Sequence, residues 1–411
     1  MILIVVDSID PEDSSGSKVN VAFISNLKKA GYEVKVLTLN KAHYKNLQLG
    51  ELLVEPIKNL NYFLSRVQRV FQRYVKIDLS LVLENRFGFS FTFFNECQSL
   101  QKELEQLDTN FFELIITLSK GESFRPHYAV LHSLKWHTKW LAYIHDPYPF
   151  QNYPEPYRFV PKGAVQKHRF FKKLAVTCRF AGFPSQYLAD HMANFYGDFL
   201  TKQVIIPHQY DSSFRIGALP SFFNKEMFNL VHAGNLIAGR SPEGLLKGFE
   251  GFLKINPEAR GKAFLHLIGP SGSYSDLFED FLEIEEFLPR PSLSYAEALA
   301  LQTHATVNLI IEASDSAYSP FLPAKMAHLV HADKPIFTLS PDVSEVRRLL
   351  GVEYSWQCRA DDSEQITHII SNLYNQWKEI GHNMSLNRQD LQNYFSTFHL
   401  DEKIQFLRNE V

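Results

Sequence analysis

Four short stretches of this 411-residue chain hold side chains suited to gripping an anion or moving a proton. In His232-Ala233-Gly234-Asn235-Leu236 a Gly-Asn pair ends an apolar run, and Arg240 follows just before Pro242. Proline is favoured in the first turn of a helix, where its missing N–H would lack a partner anyway. An arginine there can pair with two phosphate oxygens at once. The plain alternative is an arginine that caps a neighbouring element or faces water.

The second stretch is Ser319-Pro320-Phe321-Leu322-Pro323-Ala324-Lys325, read as entering a helix at Pro323. Free N–H groups and the helix dipole attract anions at such an end. Lys325 in the first turn opposes the dipole by roughly 0.3–1 kcal/mol, a cost that a bound diphosphate would reverse. His328 shares its face and could donate to a ribose hydroxyl or simply be a satisfied core histidine. A third stretch, His145-Asp146-Pro147, closes the apolar run Trp140 to Ile144. Polar residues at the carboxyl end of a strand belong at the ligand crevice of an open sheet. His145 could meet a sugar hydroxyl or a developing charge; Asp146 could orient it or be an ordinary turn residue. In the fourth, Ser14-Ser15-Gly16-Ser17, Gly16 permits close backbone approach and the hydroxyls can donate to phosphate. Neither this loop nor Gly269-Pro270-Ser271-Gly272 is a G-x-G-x-x-G fingerprint. P-loop, G-x-S-x-G, H-E-x-x-H and Asp-x-Asp patterns are missing too, which argues against kinase, hydrolase, metalloprotease and metal-requiring readings; no metal ligands are expected.

The elements that must position these residues alternate. Apolar runs at Met1 to Val6, Val34 to Leu37, Leu114 to Thr117, Trp140 to Ile144, Ala175 to Thr177 and Val204 to Ile206 read as buried strands. The second half repeats the pattern at Asn229 to Ala233, Phe264 to Ile268, Thr306 to Ile311 and Pro335 to Leu339, with helices at 242–254, 294–302, 323–331 and 343–350. Strand–helix alternation throughout implies two doubly wound, Rossmann-like parallel sheets. A chain this long exceeds one core. The expected division is 1–206, 207–389 and a terminal helical segment, 390–411, that crosses back to the first domain. The segment Leu53 to Arg86 breaks the alternation. Phe63, Val67, Val70, Phe71 and Tyr74 would share one helical face, with Arg66, Arg69, Arg73 and Lys76 around it. It reads either as an interfacial helix touching anionic lipid or as a helix packed on its own domain with a solvated basic side.

Composition bounds the partners. Hydrophobic residues make up 45% and charged residues 21%, as in ordinary globular chains, and the net charge of −3 makes nucleic acid a poor partner. Three scattered cysteines without a C-x-x-C pair favour a reducing compartment. The apolar start is too short for a signal peptide and no run is long enough to span a bilayer, so a cytoplasmic location is expected, with contact at the inner membrane face left open.

With these residues in view, the chain resembles retaining GT-B glycosyltransferases of the family 4 type, most closely over Leu230 to Leu350. Ala233-Gly234-Asn235-Leu236 with Arg240-Ser241-Pro242 is similar to the family's post-linker strand and phosphate-binding arginine. Gly269-Pro270 resembles the next glycine turn, and Phe287 to Pro291, with Arg290, the segment whose backbone faces the base. Ser319 to Lys325 with Lys334-Pro335-Ile336 resembles the diphosphate helix and the strand after it. The resemblance departs at the family's two glutamates, eight positions apart, where this sequence has Pro320 and His328. It implies two domains facing a cleft and metal-independent transfer, with retention, from a nucleotide-diphosphate sugar to a glycan or lipid-linked acceptor. No cofactor is needed beyond that co-substrate. Arg240, Lys325, His145 and Asp146 would act on the reacting groups. Ser15, Gly16, Gly234, Asn235, Gly269, Arg290, Ser319, Pro320, Phe321, Leu322 and His328 would hold the nucleotide sugar. The alternatives are a nucleotide-sugar epimerase of the same fold and an inactive scaffold that only binds.

Overall fold

The computed structural model describes residues 1–11, 13–39, 51–76, 80–121, 123–237 and 239–411. The chain forms two compact units. The first comprises 1–153, 158–211 and 395–411; the second comprises 154–157 and 212–394.

The first unit is built on seven parallel strands: β1 (Ile2–Val6), β2 (Val34–Thr38), β3 (Glu51–Leu53), β4 (Leu114–Leu118), β5 (Trp140–Tyr143), β6 (Phe180–Phe183) and β7 (Gln203–Ile205). Their order is β3-β2-β1-β4-β5-β6-β7. β1 and β4 are buried along their whole length, as expected of central parallel strands covered on both faces. Its helices are α1 (Ser15–Lys29), α2 (Leu60–Val75), α3 (Ser80–Phe87), α4 (Phe91–Gln106), α5 (Arg125–Leu131), α6 (Ala164–Thr177) and α7 (Gln186–Phe195). The run Ala175 to Thr177, expected as a strand, is the last turn of α6. Phe170, Phe171, Leu174 and Ala175 are buried at helical spacing, and the strand starts five residues later at Phe180. A three-residue apolar run fits either element, and the period around it decides.

The second unit holds β8 (Phe228–Ala233), β9 (Ala263–Ile268), β10 (Phe287–Arg290), β11 (Val307–Ile311), β12 (Tyr318–Ser319), β13 (Ile336–Leu339), β14 (Val343–Ser344) and β15 (Gln357–Cys358). Six of them form a parallel sheet, β10-β9-β8-β11-β13-β15, while β12 and β14 make a separate two-stranded ladder in which Ser319 lies opposite Ser344. Around them lie α8 (Glu243–Ile255), α9 (Ser275–Glu279), α10 (Tyr295–His304), α11 (Met326–His331), α12 (Glu345–Leu350), α13 (Ser363–Ile380) and α14 (Gln389–Tyr394). Gly244 and Gly248 let α8 sit close to the segment that opens α13: a Cβ on them would come within 2.0 Å of the Ala360 carbonyl oxygen and 2.4 Å of Ile366.

The last helix, α15 (Thr397–Asn409), belongs to the first unit, where it packs on α1. Tyr32 donates to Asp401 at 2.5 Å, and Arg408 pairs with Glu113. Return of the chain to the first unit therefore begins at Phe395, five residues beyond the sequence-based boundary.

Candidate donor site and its counterpart

In each sheet the connections run outward from one central pair, β1/β4 in the first unit and β8/β11 in the second. The carboxyl ends of such a pair form a topological switch point, where ligands bind in open α/β sheets. Chemistry is therefore expected just after β8 and β11, and just after β1 and β4.

At the second unit's switch point, β8 runs into Gly234. A Cβ on Gly234 would stand 3.1 Å from Lys325 Nζ, so a bare backbone here makes room for the ammonium. Gly269 backs the same turn. Its φ is +131°, and a Cβ on it would come within 2.5 Å of the Gly234 carbonyl oxygen, so glycine is required on both conformational and steric grounds. Its N–H donates to the Arg290 carbonyl at 3.0 Å. The Arg290 guanidinium itself lies 4.7 Å over the Phe222 ring. Asn235 is exposed at the turn.

Lys325 is partly buried, with Nζ 3.5 Å from His232 Nδ1. Burial, together with the neighbouring Arg240 charge, pushes its pKa down to about 7. Arg240 donates through Nε to the Tyr157 hydroxyl at 3.3 Å, and the Tyr157 ring meets Phe321 edge-on at 5.9 Å. Neither cation forms an ion pair among the described residues. Two adjacent, partly desolvated cations without a countercharge are costly unless an anion completes them. The geometry also corrects an expectation. Lys325 is the N-cap residue, not part of the first turn, and α11 spans only Met326–His331. A helix so short has little aligned dipole to offer, so attraction for an anion rests on the side chains. His328 is held well toward its neutral form by burial, with a pKa near 4.

Sequence reasoning missed the acid at this site. Glu312 follows β11 directly and is buried. Ser319 donates to its Oε1 at 2.5 Å and Ser344 to its Oε2, so the paired strands β12 and β14 clasp it between them. Ser319 is thereby committed through its hydroxyl to Glu312, while Pro320 and Leu322 are buried beside it. Burial raises the Glu312 pKa to about 7. Its position after an apolar run is the same signal that singled out His145. Tyr157 was missed because nothing local in sequence assigns 154–157 to the second unit.

At the first unit's switch point His145 is buried, and its orientation is fixed from outside the expected pair. The Asn20 side chain donates to the Ser119 carbonyl at 3.2 Å, which leaves its oxygen facing His145 Nε2 at 2.8 Å. Nε2 therefore carries the proton, and Nδ1 presents a lone pair with no partner among the described residues. Ser119 Oγ accepts the His145 backbone N–H at 3.0 Å. Asn20 and Ser119 thus orient His145; Asp146 is half-buried at the turn before Pro147. Burial, with the nearby His208 and His127, lowers the His145 pKa well below its ordinary value. Asp7, immediately after β1, is buried, and burial raises its pKa against the opposing effects of the Arg125 charge and the Ser123 hydroxyl nearby.

The loop expected before the first helix is already helical. Ser14 is the N-cap, its hydroxyl accepting the Ser17 N–H, and Ser15 and Gly16 lie in the first turn of α1. Lys120 packs 3.3 Å from where a Gly16 Cβ would stand and pairs with Asp13. Capping engages Ser14 and Ser17, and the ion pair engages Asp13 and Lys120, on either side of Ser15 and Gly16. A cavity of about 520 Å³ opens at the opposite, amino ends of β6 and β7, lined by Arg179, Lys202 and Glu410, away from this unit's own switch point.

No family model matches this sequence, and neither does any curated protein. Solved structures do resemble it across its whole length. Anabaena HepE (Alr3699), in complex with UDP and glucose, shares 12% identity at a TM-score of 0.60, covering 100% of this chain and 99% of that one. The sucrose-phosphate synthase of Thermosynechococcus elongatus shares 12% at 0.60, covering 100% and 98%. A Listeria monocytogenes protein assigned as a UDP-N-acetylglucosamine 2-epimerase shares 10% at 0.57, covering 98% and 95%. With two parallel doubly wound sheets and this likeness end to end, the chain has the two-domain GT-B fold.

Proposed function

We propose that the protein is a glycosyltransferase that takes its sugar from a nucleotide-diphosphate donor bound by the second unit. The observation that carries this reading is the pair of unpaired cations, Arg240 and Lys325, gathered beside the Gly234 and Gly269 turns. The likeness to structures holding UDP and sugar supports it.

In this reading the diphosphate lies against Arg240 and Lys325, the bare Gly234 backbone admits it, and the backbone of 287–291 faces the base. His328 and the 319–322 backbone hold the remainder of the nucleotide sugar. As the sugar leaves, negative charge builds on the distal phosphate. Cations already in place stabilise that charge more in the transition state than in the ground state, which is where rate is gained. No metal is needed, because the two side chains supply the countercharge; turnover unaffected by a chelator is the expected result. The configuration is retained, with the departing phosphate taking the acceptor's proton. His145, uncharged and offering a lone pair at Nδ1, accepts a hydrogen bond from a sugar hydroxyl. The acceptor is a glycan or a lipid-linked oligosaccharide.

Thermal unfolding in the presence of uridine, guanosine and adenosine diphosphates tests the donor site, since a ligand that binds only the folded state raises stability as its concentration exceeds Kd. Stabilisation by none of the three would remove the proposal's basis. The likeness to an epimerase favours one second reading, isomerisation of the nucleotide sugar at this same site. Donor incubated without acceptor separates them: epimer appears in one case and not in the other. Stabilisation by nucleotide with neither product would identify a protein that only binds.

A further inference from the structure

Helix α2 is attached to its unit the wrong way round for a soluble helix. Its polar residues face inward: Ser65 is buried, and the Asn59 cap and Asn61 both donate to Gln98 of α4, at 2.6 and 3.0 Å. Its apolar residues face out. Leu60 is 73% exposed, Phe63 56%, Val67 63%, Val70 55% and Tyr74 78%. At 3.6 residues per turn these five fall within about 80° of arc, one continuous stripe. Arg66 and Arg73 border it on one side and Arg69 lies beyond them. The packed-on-its-domain reading with a solvated basic side thus describes only the charges; the apolar face is solvated as well.

What covers this stripe is decided by charge. Between Glu55 and Asp78 the sequence has five cations and no acid: Lys58, Arg66, Arg69, Arg73 and Lys76. Helix α3 follows, exposing Leu81, Val82 and Phe87. It is tied to the start of α6 by the Gly163 N–H donating to Asn85 at 2.9 Å and Gln166 donating to the Asn85 carbonyl at 2.6 Å. There the pattern recurs: Phe159, Val160 and Val165 are exposed, and no acid occurs between Glu155 and Asp190. A second copy of this chain is a poor occupant, because a two-fold contact would set arginines against arginines. A surface that is apolar within and anionic at its rim complements both features.

We propose that the α2 stripe seats the protein on an anionic lipid bilayer, with Phe63, Val67 and Val70 entering the acyl boundary and Arg66 and Arg73 meeting headgroup phosphates, while Arg69 turns back to Ser65. No described helix is long and apolar enough to cross a membrane, and the contact lies along the surface. It does not depend on the donor reading, since no nucleotide takes part.

The test is co-sedimentation of the full chain with vesicles of phosphatidylcholine alone, or of phosphatidylcholine containing phosphatidylglycerol. The expected result is binding to the anionic vesicles only. Arg66→Gln with Arg73→Gln should weaken partitioning about twenty-fold, at roughly fivefold per charge. The triple variant Phe63→Ser, Val67→Ser, Val70→Ser should abolish it with the melting temperature unchanged. Independently of those variants, Phe63→Trp should shift its emission to the blue on adding anionic vesicles. Failure of the wild type to bind, equal binding to neutral and anionic vesicles, or wild-type binding by the triple variant would overturn the proposal. So would a wild-type dimer in sedimentation velocity that the triple variant dissolves, which would identify a second copy as the occupant.

Discussion

The two sheets share a strand order, third-second-first-fourth-fifth-sixth counted within each sheet, with a seventh strand added in the first, yet their switch points carry different chemistry. The second unit gathers Arg240 and Lys325 with no ion pair among the described residues and holds Glu312, on which the Arg240 charge acts, between two serines. The first unit holds His145, locked in one tautomer by Asn20, and the buried Asp7, whose pKa burial raises against the nearby Arg125. Doubly wound topology fixes where a ligand goes; the residues at the strand ends decide what kind. In the proposed reading one end completes an anion and the other accepts a hydrogen bond.

The sharpest way to break this contrast is Arg240→Ala. If the guanidinium meets the phosphate on which charge develops, turnover should fall on the order of 10²–10³-fold, the usual effect of removing one preorganised donor to a developing anion. Stability should hardly change, because only the Tyr157 contact at 3.3 Å is lost. Unchanged sugar transfer would dissolve the distinction between the two switch points.

Next in size is the effect of Glu312 on stability. Its pKa is about 7 in the folded chain against an ordinary value of 4.5. Between those values the folded state holds a proton that the unfolded state has lost, so stability declines as pH rises. The contribution is fully present below about pH 4.5 and gone above about pH 7, on the order of 3 kcal/mol across the window. Glu312→Gln should remove this slope, measurable by urea unfolding at several pH values. An identical slope in the variant would show that another group is responsible.

Much of this architecture could be read from the sequence, and the misses have physical causes. The buried strands were legible because parallel strands covered on both faces are nearly continuous apolar runs. Ala175 to Thr177 misled because a short run carries no period of its own. Arg240 and Lys325 were legible as charges close to glycine and proline punctuation. Glu312 was not, because its importance comes from Ser344, 32 residues away, brought opposite Ser319 by a two-residue ladder that has no sequence signal. The surroundings of Ser15 and Gly16 were hidden for a similar reason. Asp13 and Lys120 lie 107 residues apart, and their pairing occupies a loop that looked open. For α2 the face was legible in sequence and its direction stayed open, since periodicity defines a stripe without saying which side is solvent.

The pH dependence of donor binding sharpens the same comparison at smaller scale. Lys325, at about pKa 7, is half deprotonated near neutrality when the site is empty. A bound diphosphate favours the ammonium and raises that pKa, so above pH 7 each binding event takes up a proton. Affinity should then fall by as much as tenfold per pH unit. Lys325→Met should bind more weakly and lose that dependence. Isothermal titration in buffers of differing ionisation enthalpy would read the proton directly; no uptake near pH 8 in the wild type would contradict the assignment.

The smallest expected effect is an absence of change, and it tests the other half of the contrast. The Asn20 amide nitrogen must face the Ser119 carbonyl, so its oxygen must face Nε2, and a proton on Nε2 leaves Nδ1 as an acceptor. A second proton on that ring would leave a buried imidazolium beside His208 and His127, which is why its pKa lies well below 6.5. Nitrogen chemical shifts of His145 should therefore stay those of the neutral Nε2–H form across about pH 5 to 8, the range in which an unperturbed histidine titrates. Asn20→Asp reverses the logic. A carboxylate facing Nε2 favours the imidazolium, so the same resonances should begin to titrate within that range. A His145 that titrates in the wild type would mean that the first unit's switch point carries charge after all, and the two ends would differ in degree rather than in kind.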